Sequence, residues 1–251
     1  MSFKIKSILC MLNRLKMIWK KLPLGKFAFE FFSILLAVIS AFALSNWNDD
    51  RRERNAEDKI LLEINSGLQK DLFDIDENIA GHKTGIEACR YHRKLVLGQS
   101  VNLDSFAIYN FYLTRDFVSI QNTSGYETLK SKGLELIQDD SLRSTILSLY
   151  EYDYEILYKL EETYDELQFH QTYFKPITDI MNPYMLFNDK GFLTGITLPF
   201  RLNANDKNRM LLYLMNIERN RMFILNYYEV VKVRLTELSS KIESELRQNP
   251  S

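Results

Sequence analysis

Few side chains in this sequence suit metal or redox chemistry, and only one group of them has a useful spacing. Cys89 and His92 are three residues apart, and His82 lies earlier on the same predicted helix. Residues three apart share a helix face, and thiolate and imidazole groups bind zinc or copper, so a metal ion could be held here. Such residues are more often ordinary helix positions, and we therefore predict no metal site and no cofactor.

Motifs of common catalytic sites do not occur in the sequence. It has no phosphate-binding G-x-x-x-x-G-K-[ST], no dinucleotide-binding G-x-G-x-x-G, no G-x-S-x-G and no H-E-x-x-H. A di-iron site in a helical bundle needs Glu three residues before His, where this chain has Ile79, Cys89 and Leu167. Glu166 and His170 are four residues apart, a spacing that a solvated pair explains. We predict no catalytic residue and a non-enzymatic protein.

A group of tyrosines is the strongest candidate for molecular recognition. Tyr150, Tyr154 and Tyr158 share one helix face by their spacing of four residues. Such a stripe could bind a sugar, a peptide or a partner helix, but the favoured interpretation is an edge of the core whose hydroxyl groups reach water. Together with Tyr126 and Lys130 of the segment described below, these three tyrosines are the predicted interaction residues.

The composition indicates that helices position these side chains. The chain has 251 residues, 46% of them apolar, with only 9 Gly and 5 Pro. Long stretches without turn residues disfavour an all-β sandwich or barrel, so we predict an all-α fold. Residues 1–26 contain seven basic and no acidic side chains, which leaves 32 − 7 = 25 basic and 33 acidic side chains for the rest. An acidic body is unsuited to phosphate backbones, and nucleic acid is excluded as a predicted partner.

An apolar segment follows the basic leader; residues 31–48 carry no charge, and Glu30 lies near its N-terminal end. Residues 27–47 form a helix of 21 residues, which at ~1.5 Å per residue spans the ~30 Å core of a bilayer. Trp19 and Trp47 flank it, as aromatic side chains at membrane interfaces do. A cleaved signal peptide is an alternative, because Ala41 and Ala43 have the small-x-small spacing of a cleavage site, but the charged leader is unusually long.

The charge asymmetry predicts the topology. Positive charges concentrate before the span, which favours a cytoplasmic N-terminus in the inner membrane and a periplasmic domain at residues 48–251. Residues 1–26 are predicted to form a basic amphipathic segment that lies on the anionic inner leaflet. The bilayer is thus one predicted partner, and a protein partner or a second copy of the chain is the other.

After the span, helical periodicity predicts an extended antiparallel bundle of three long and two short helices. The first long tract covers residues 48–97, with a plausible break between Gly81 and Gly85. The second begins at Asp139 or Asp140 and ends before Pro176. The third covers residues 205–247 in a heptad rhythm interrupted by Arg221, which we expect to bend to the surface or to pair with an acid.

Two shorter features complete the predicted fold. A small hairpin is compatible with the alternating apolar residues near 187–203. Residues 122–150, NTSGYETLKSKGLELIQDDSLRSTILSLY, predict a helix corner. In it, Ser124 and Glu127 form a capping box, Gly133 ends the first helix, and Asp139 or Asp140 begins the next.

That corner and the segment FSILLAVISAFALSNWNDDRRER at residues 32–54 resemble a family of single-span bacterial envelope proteins. The family pairs a membrane helix ending in an N-N-W-N-E-like box with a Y-E-x-L-K-S-x-G corner. The matching residues are Asn46, Trp47, Asn48, Asp49, Tyr126, Glu127, Leu129, Lys130, Ser131 and Gly133. The resemblance covers roughly residues 27–155 and departs from the pattern at Ser45 and Lys132. No activity is assigned to the family, so the resemblance implies topology and no chemistry.

Two functions remain open at this point. The first is a non-enzymatic anchored domain with a protein-interaction or scaffold role. The alternative is a sensor-like bundle that binds a small ligand, with the aromatic stretch at residues 150–174 as a wall of its pocket. The sequence favours the first, because bundle sensors usually return through the membrane to a signalling domain.

Overall fold

A computed structural model describes residues 24–248 of the chain, with side chains from residue 26. Helices dominate it and confirm the all-α prediction. The helices are α1 Leu24–Val96, α2 Phe106–Thr114, α3 Ser124–Lys132, α4 Asp140–Ser148, α5 Tyr154–Tyr158, α6 Lys175–Met181 and α7 Ala204–Gln248. Short 3₁₀ turns cover Leu103–Ser105, Leu134–Leu136, Asp165–Leu167 and Asn182–Tyr184. The predicted amphipathic segment at residues 1–26 falls almost entirely outside the described residues.

The first long tract is a single helix without the predicted break. Helix α1 runs through both Gly81 and Gly85. Their role is close approach: a Cβ at Gly81 would lie 2.3 Å from the Phe117 ring, and one at Gly85 would lie 2.7 Å from Cζ of Arg221. The glycines therefore make room for neighbouring side chains, and the prediction of a break was wrong because their helix-weakening effect is small beside this packing.

Contacts along the chain define two compact units, Met1–Asn55 and Ala56–Ser251. The described part of the first unit contains one segment that is long and apolar enough to cross a membrane, and none of this segment is buried within the structure. This agrees with the predicted single span at residues 27–47. All the contacts described below lie within the second unit.

The second long tract is not one helix. Helix α4 continues through π-helical turns at Leu149–Asp153 and Lys159–Thr163, and the chain then becomes extended at Tyr164. It returns to helix at His170–Phe174, which α6 follows directly, and Pro176 lies in the first turn of α6. Pro176 therefore lies within a helical run and does not end one, contrary to the prediction. The interruption occurs where the chain passes from the hydrophobic cluster containing Leu157 to the one containing Phe169.

The helix corner forms with a different cap from the one predicted. Ser124 is the first residue of α3, and Thr123 precedes the helix without a side-chain capping bond, so the capping box of Ser124 and Glu127 is absent. Gly133 ends α3 with a φ of 107°, as expected of glycine. The Oδ1 atom of Asp139 accepts a hydrogen bond from the N–H of Leu142 at 2.6 Å and caps α4.

A small hairpin lies in the predicted region. Strands β1 Met185–Phe187 and β2 Leu193–Ile196 pair in antiparallel orientation, with Met185 opposite Ile196. Phe187 and Phe192 remain exposed at its turn, while Ile196 joins the core cluster around Met181. The hairpin thus closes one side of the second cluster.

Helices α1 and α7 pack antiparallel, because partners advance along one helix as they retreat along the other. Gln69 donates to Ser239 at 2.9 Å, Lys232 pairs with Asp76 at 2.6 Å, and Lys83 pairs with Glu229 at 3.2 Å. The buried face of α7 keeps the predicted heptad rhythm almost without exception. Its buried members are Met210, Leu214, Ile217, Arg221, Ile224, Tyr228, Val231, Leu235, Leu238 and Ile242.

Candidate functional site

The exception in the α7 heptad, Arg221, is buried. Its side chain neither bends to the surface nor pairs with an acid, because the residue is only 5% exposed and no carboxylate of the described residues lies within ion-pair distance. Both sequence-based expectations for Arg221 were therefore wrong. A buried charge is costly unless other polar groups compensate for it. The groups that compensate the charge of Arg221 form the candidate site described below.

Backbone carbonyls at the end of α2 supply that compensation. The Nη2 atom of Arg221 donates to the carbonyl oxygens of Tyr112, Leu113 and Arg115 at 3.1, 3.2 and 2.9 Å. The last carbonyls of a helix lack intrahelical partners and carry a partial negative charge, which favours a cation. Arg221 therefore caps α2 from a helix more than a hundred residues away in sequence.

Three neighbours fix the plane of the guanidinium group. Gly85 of α1 leaves the space that the guanidinium fills, and the Phe117 ring lies 5.4 Å from Cζ in a cation–π contact. The Nη1 atom lies 3.5 Å from Nδ1 of His82. The Nε atom of Arg221 and the Nε2 atom of His82 are buried and make no hydrogen bond of normal geometry. This centre therefore retains hydrogen-bonding capacity that the described residues do not use.

His82 is neutral in this environment. Burial and the charge of Arg221 lower the pKa of its imidazole to about 3, and the backbone carbonyl of Phe117 offsets only part of this. A neutral imidazole that accepts from Arg221 at Nδ1 carries its proton at Nε2. We assign this tautomer from the hydrogen-bond pattern. Nε2 is then a buried donor that makes no hydrogen bond of normal geometry, although the backbone carbonyl of Phe117 acts on the ring.

A pocket of about 200 Å³ lies beside this centre. Its polar lining comes from α1, from the segment after α2, from residues 161–168 and from α7, and consists of His82, Asp116, Glu161, Glu162, Gln168, Asn220 and Arg221. Its apolar lining includes Phe117, Leu160, Leu167, Phe169, Tyr173 and Ile217. We call this the Arg221 pocket. At ~15 Å³ for each water position, it has room for roughly a dozen waters or a small organic molecule.

Two carboxyl groups of the pocket, the buried Glu161 and the partly buried Asp116, are engaged within the protein. The carboxylate of Glu161 accepts hydrogen bonds from the N–H and hydroxyl of Ser119 and from the Tyr228 hydroxyl. Asp116 faces the imidazole of His170 at 3.6 Å. Burial raises the pKa of both carboxyl groups, although the hydrogen bonds of Glu161 and the neighbours His170 and Arg221 of Asp116 oppose the increase.

Three carboxylates hold the pocket's remaining wall, residues 115–123, which we call the strap. The N–H of Ser119 donates to Glu161 at 3.0 Å, and that of Ile120 donates to Asp74 at 2.9 Å. The N–H of Asn122 donates to Asp71, also at 2.9 Å. The strap has no helix or strand of its own, so these side chains replace the backbone partners that regular structure would provide.

The predicted interaction tyrosines do not act as one stripe. Tyr126 stacks on Tyr150 with ring centroids 4.5 Å apart, and Tyr150 meets Tyr154 edge to face at 5.2 Å. Lys130 lies over the Tyr126 ring at 5.4 Å. Tyr158 is 51% exposed and stands outside this cluster.

The hydroxyls of this cluster bond to acids of the protein. Tyr126 donates to Glu151 at 2.5 Å, and Tyr154 donates to the buried carboxylate of Asp71. Desolvation and these carboxylates raise the pKa of both phenols. None of the five predicted interaction residues lines the Arg221 pocket, whereas part of the stretch 150–174 does so through residues 160–173. Their predicted role in recognition stays a prediction.

The potential metal ligands of α1 are buried in the core. Cys89 and His92 are fully buried, and burial raises the pKa of the thiol to about 12 and lowers that of the imidazole to about 4. The Nδ1 atom of His92 lies 2.8 Å from the carbonyl oxygen of Ala88. Within residues 24–248, no group of three or more His, Cys, Asp or Glu side chains is arranged to hold a metal ion.

Sequence reasoning missed the Arg221 pocket. The one signal available was the position of Arg221 itself, a cation in an otherwise apolar seam of α7. Gly81 and Gly85 lie on α1 four residues apart and were a second signal, because small residues at helical spacing permit close approach. No protein-family model, curated protein or solved structure matches this chain.

Proposed function

We propose that this protein is a non-enzymatic, membrane-anchored domain that binds a small ligand in the Arg221 pocket. The observation that carries the proposal is the pocket itself, which combines a buried cation and unused donors with aromatic and aliphatic walls. Small-molecule sites have this composition, mostly apolar with a few convergent polar groups. Buried polar groups that the protein leaves without partners are the feature that packing alone does not explain.

The anchor is part of the proposal. We infer that residues 27–47 cross the cytoplasmic membrane once, with the N-terminus in the cytoplasm and the helical domain in the periplasm. The basic leader and the exposed apolar segment support this orientation through the positive-inside bias. Alkaline carbonate should leave the protein in the membrane pellet, and protease added to spheroplasts should degrade the domain. Release by carbonate, or a protected domain in spheroplasts, would contradict the anchor or its orientation.

The ligand function is tested on the full chain in detergent micelles. A library of small metabolites is screened for compounds that raise the melting temperature measured by circular dichroism. A true ligand stabilises the folded state by mass action, so the shift must grow with concentration. Stabilisation should disappear in Leu160→Trp, which fills the pocket from its wall. Leu147→Trp is the matched control, since Leu147 is also partly buried against the first core cluster but does not line the pocket.

A second function, the protein-interaction role favoured by the sequence, is supported by the outer face of α7. Phe223, Asn226, Val230 and Val233 repeat at intervals of three and four residues and are all exposed. We call them the outer stripe. This spacing is typical of a helix that meets another helix, and a single Asn in such a seam fixes its register. We propose a second copy of the chain as the partner, since anchoring in one membrane holds copies parallel and raises their effective concentration.

Charge complementarity supports that arrangement. In a parallel pair of α7 helices, position 229 of one copy faces position 234 of the other, five residues further on. These residues are Glu229 and Arg234, which have opposite charges and are each about half exposed; within one chain they also pair with Lys83 and Asp153.

Disulfide crosslinking in native membranes separates the two functions. In a Cys10→Ser background, Val230→Cys should give a discrete dimer on oxidation. Ser131→Cys, exposed on α3 and not part of α7, should not. Equal crosslinking at both positions, or monomer alone at Val230→Cys, would contradict the self-association proposal and leave the ligand proposal unaffected.

A further inference from the structure

The Arg221 pocket also indicates the chemical class of its ligand, an inference that rests on the small-ligand function proposed above. Among the described residues, Arg221 is a buried cation that has no carboxylate partner. Its Nη2 atom is saturated by the carbonyls of Tyr112, Leu113 and Arg115, but Nε has no partner and Nη1 has only the long contact to His82. The charge of the guanidinium is therefore only partly compensated within the protein.

The surrounding residues hold the guanidinium in one position. It is enclosed by the end of α2 on one side and by Gly85 of α1 on another, and the Phe117 ring lies over it. A cation held in one orientation before its ligand arrives loses little entropy on binding, so it is an effective recognition group. Arginine is the side chain that proteins use most often for carboxylates, because its planar donors match the two oxygens.

His82 stands beside the guanidinium in the same lining. Its Nδ1 atom lies 3.5 Å from Nη1 of Arg221, its Nε2 atom is buried, and the backbone carbonyl of Phe117 also acts on the ring. Of the three acids in the lining, Glu162 is exposed, and the other two are engaged by groups of the protein. The three hydrogen bonds from Ser119 and Tyr228 occupy Glu161, and Asp116 faces His170. Unused hydrogen-bonding capacity in the buried part of the pocket is thus on the donor side.

We propose that the Arg221 pocket binds a small organic carboxylate, with the carboxylate at Arg221 and an apolar or aromatic body against Phe169 and its neighbours. The ligand carboxylate supplies the direct ion-pair partner that Arg221 lacks among the described residues. The pocket volume of about 200 Å³ and the walls formed by Leu160, Leu167, Phe169 and Ile217 suit a body of a few carbon atoms or a single ring.

Three probes of equal size and different charge test the ligand class. Benzoate, benzamide and benzylamine are titrated against the full chain in detergent micelles at pH 7, and unfolding is followed by far-ultraviolet circular dichroism. Benzoate should raise the melting temperature by roughly 2–4 °C near saturation, the shift expected of a ligand at several times its Kd on a domain of this size. Benzamide and benzylamine should give no comparable shift. Benzoate should lose its effect in Leu160→Trp and keep it in Leu147→Trp.

A substitution at Asp116 tests whether the ligand is an anion. It leaves Arg221 in place, whose loss would also uncap α2. Asp116 lines the pocket with a negative charge that opposes an anion. Asp116→Asn should therefore tighten benzoate binding by about 3–10-fold, a Coulomb effect of moderate size in a partly buried site. Weaker benzoate binding in Asp116→Asn would overturn the proposal.

The outcomes also separate ligand class from ligand function. Stabilisation by benzylamine that Leu160→Trp abolishes would overturn the carboxylate assignment while supporting a ligand pocket. No shift with benzoate would overturn the carboxylate assignment as well. A metabolite screen without any stabilising compound would count against the ligand function itself.

Discussion

Gly85 of α1 lies directly against the guanidinium of Arg221 of α7. A Cβ at position 85 would lie 2.7 Å from Cζ and Nη1 of Arg221 and 2.8 Å from Nε. The two residues are far apart in sequence, and neither has an obvious function by itself. Together they let a charged side chain cross the helix interface and cap α2, which places a cation beside the pocket.

Substituting Gly85 should destabilise the domain even though alanine favours helices. Ala at a free helical position gains about 1 kcal/mol over Gly. Gly85→Ala must instead displace a guanidinium held by three carbonyls, and we expect a net loss of about 1–3 kcal/mol, the usual cost of overpacking. Urea unfolding of the full chain followed by circular dichroism measures this. Gly195→Ala is the control, because a Cβ at that position meets no atom within 4 Å. A stabilised Gly85→Ala would show that Arg221 can move freely.

Tyr154 and Tyr158 should differ sharply although they share a predicted face. Tyr154 is 4% exposed and donates to the carboxylate of Asp71, which also holds Asn122 of the strap. Tyr154→Phe should reduce the free energy of unfolding by about 1–3 kcal/mol, because a buried charged acceptor loses a donor. Tyr158→Phe should change it by less than about 0.5 kcal/mol, as exposed substitutions do. Equal effects in urea unfolding would contradict this assignment.

The cap of α4 gives a paired test of the helix corner. Asp139 accepts from the N–H of Leu142, whereas Ser124 makes no side-chain capping bond to α3. Asp139→Ala should therefore cost about 1 kcal/mol, a typical value for a lost cap, and Ser124→Ala should be nearly neutral. Thermal unfolding of the two variants side by side is sufficient. A larger loss at Ser124 would restore the predicted capping box.

His92 should make the domain sensitive to acid. The folded pKa of its imidazole is lowered to about 4, below the unfolded value, so only the unfolded chain takes up the proton between these values. The contribution is fully present above about pH 6.5 and is lost as pH falls towards 4, at up to about 1.4 kcal/mol for each pH unit. His92→Phe should show a smaller loss of stability between pH 6.5 and 4.5 than the parent protein. Identical slopes in urea unfolding over this range would exclude His92 as the titrating group.

Local patterns account for the parts of the fold that were predicted correctly. The apolar segment at residues 27–47, the heptad of α7, the hairpin and the Asp139 cap each depend on residues close together in the chain. Periodicity, capping and length fix such elements without reference to the rest of the molecule. For the same reason, the sequence predicts the position of Arg221 in the apolar seam of α7. It does not predict the surroundings of Arg221.

The wrong predictions concern positions where distant segments meet. The sequence predicts a helix break at Gly81 and Gly85, because their contacts with Phe117 and Arg221 are remote in sequence and leave no local pattern. The sequence predicts that a helix ends before Pro176, because it does not show where the chain crosses from one core cluster to the other. The strap's carboxylate bonds join residues more than forty positions apart, so no local pattern predicts them.

The sequence alone determined that the chain is helical, that it contains one segment able to cross a membrane, and which face of α7 is buried. These properties follow from local apolar periodicity and length. Only the tertiary structure decided that Arg221 caps α2 and lines a pocket with unused donors. The bond from Nη2 of Arg221 to the carbonyl of Leu113 joins residues 108 positions apart, and such contacts depend on how the helices pack rather than on any pattern within one of them.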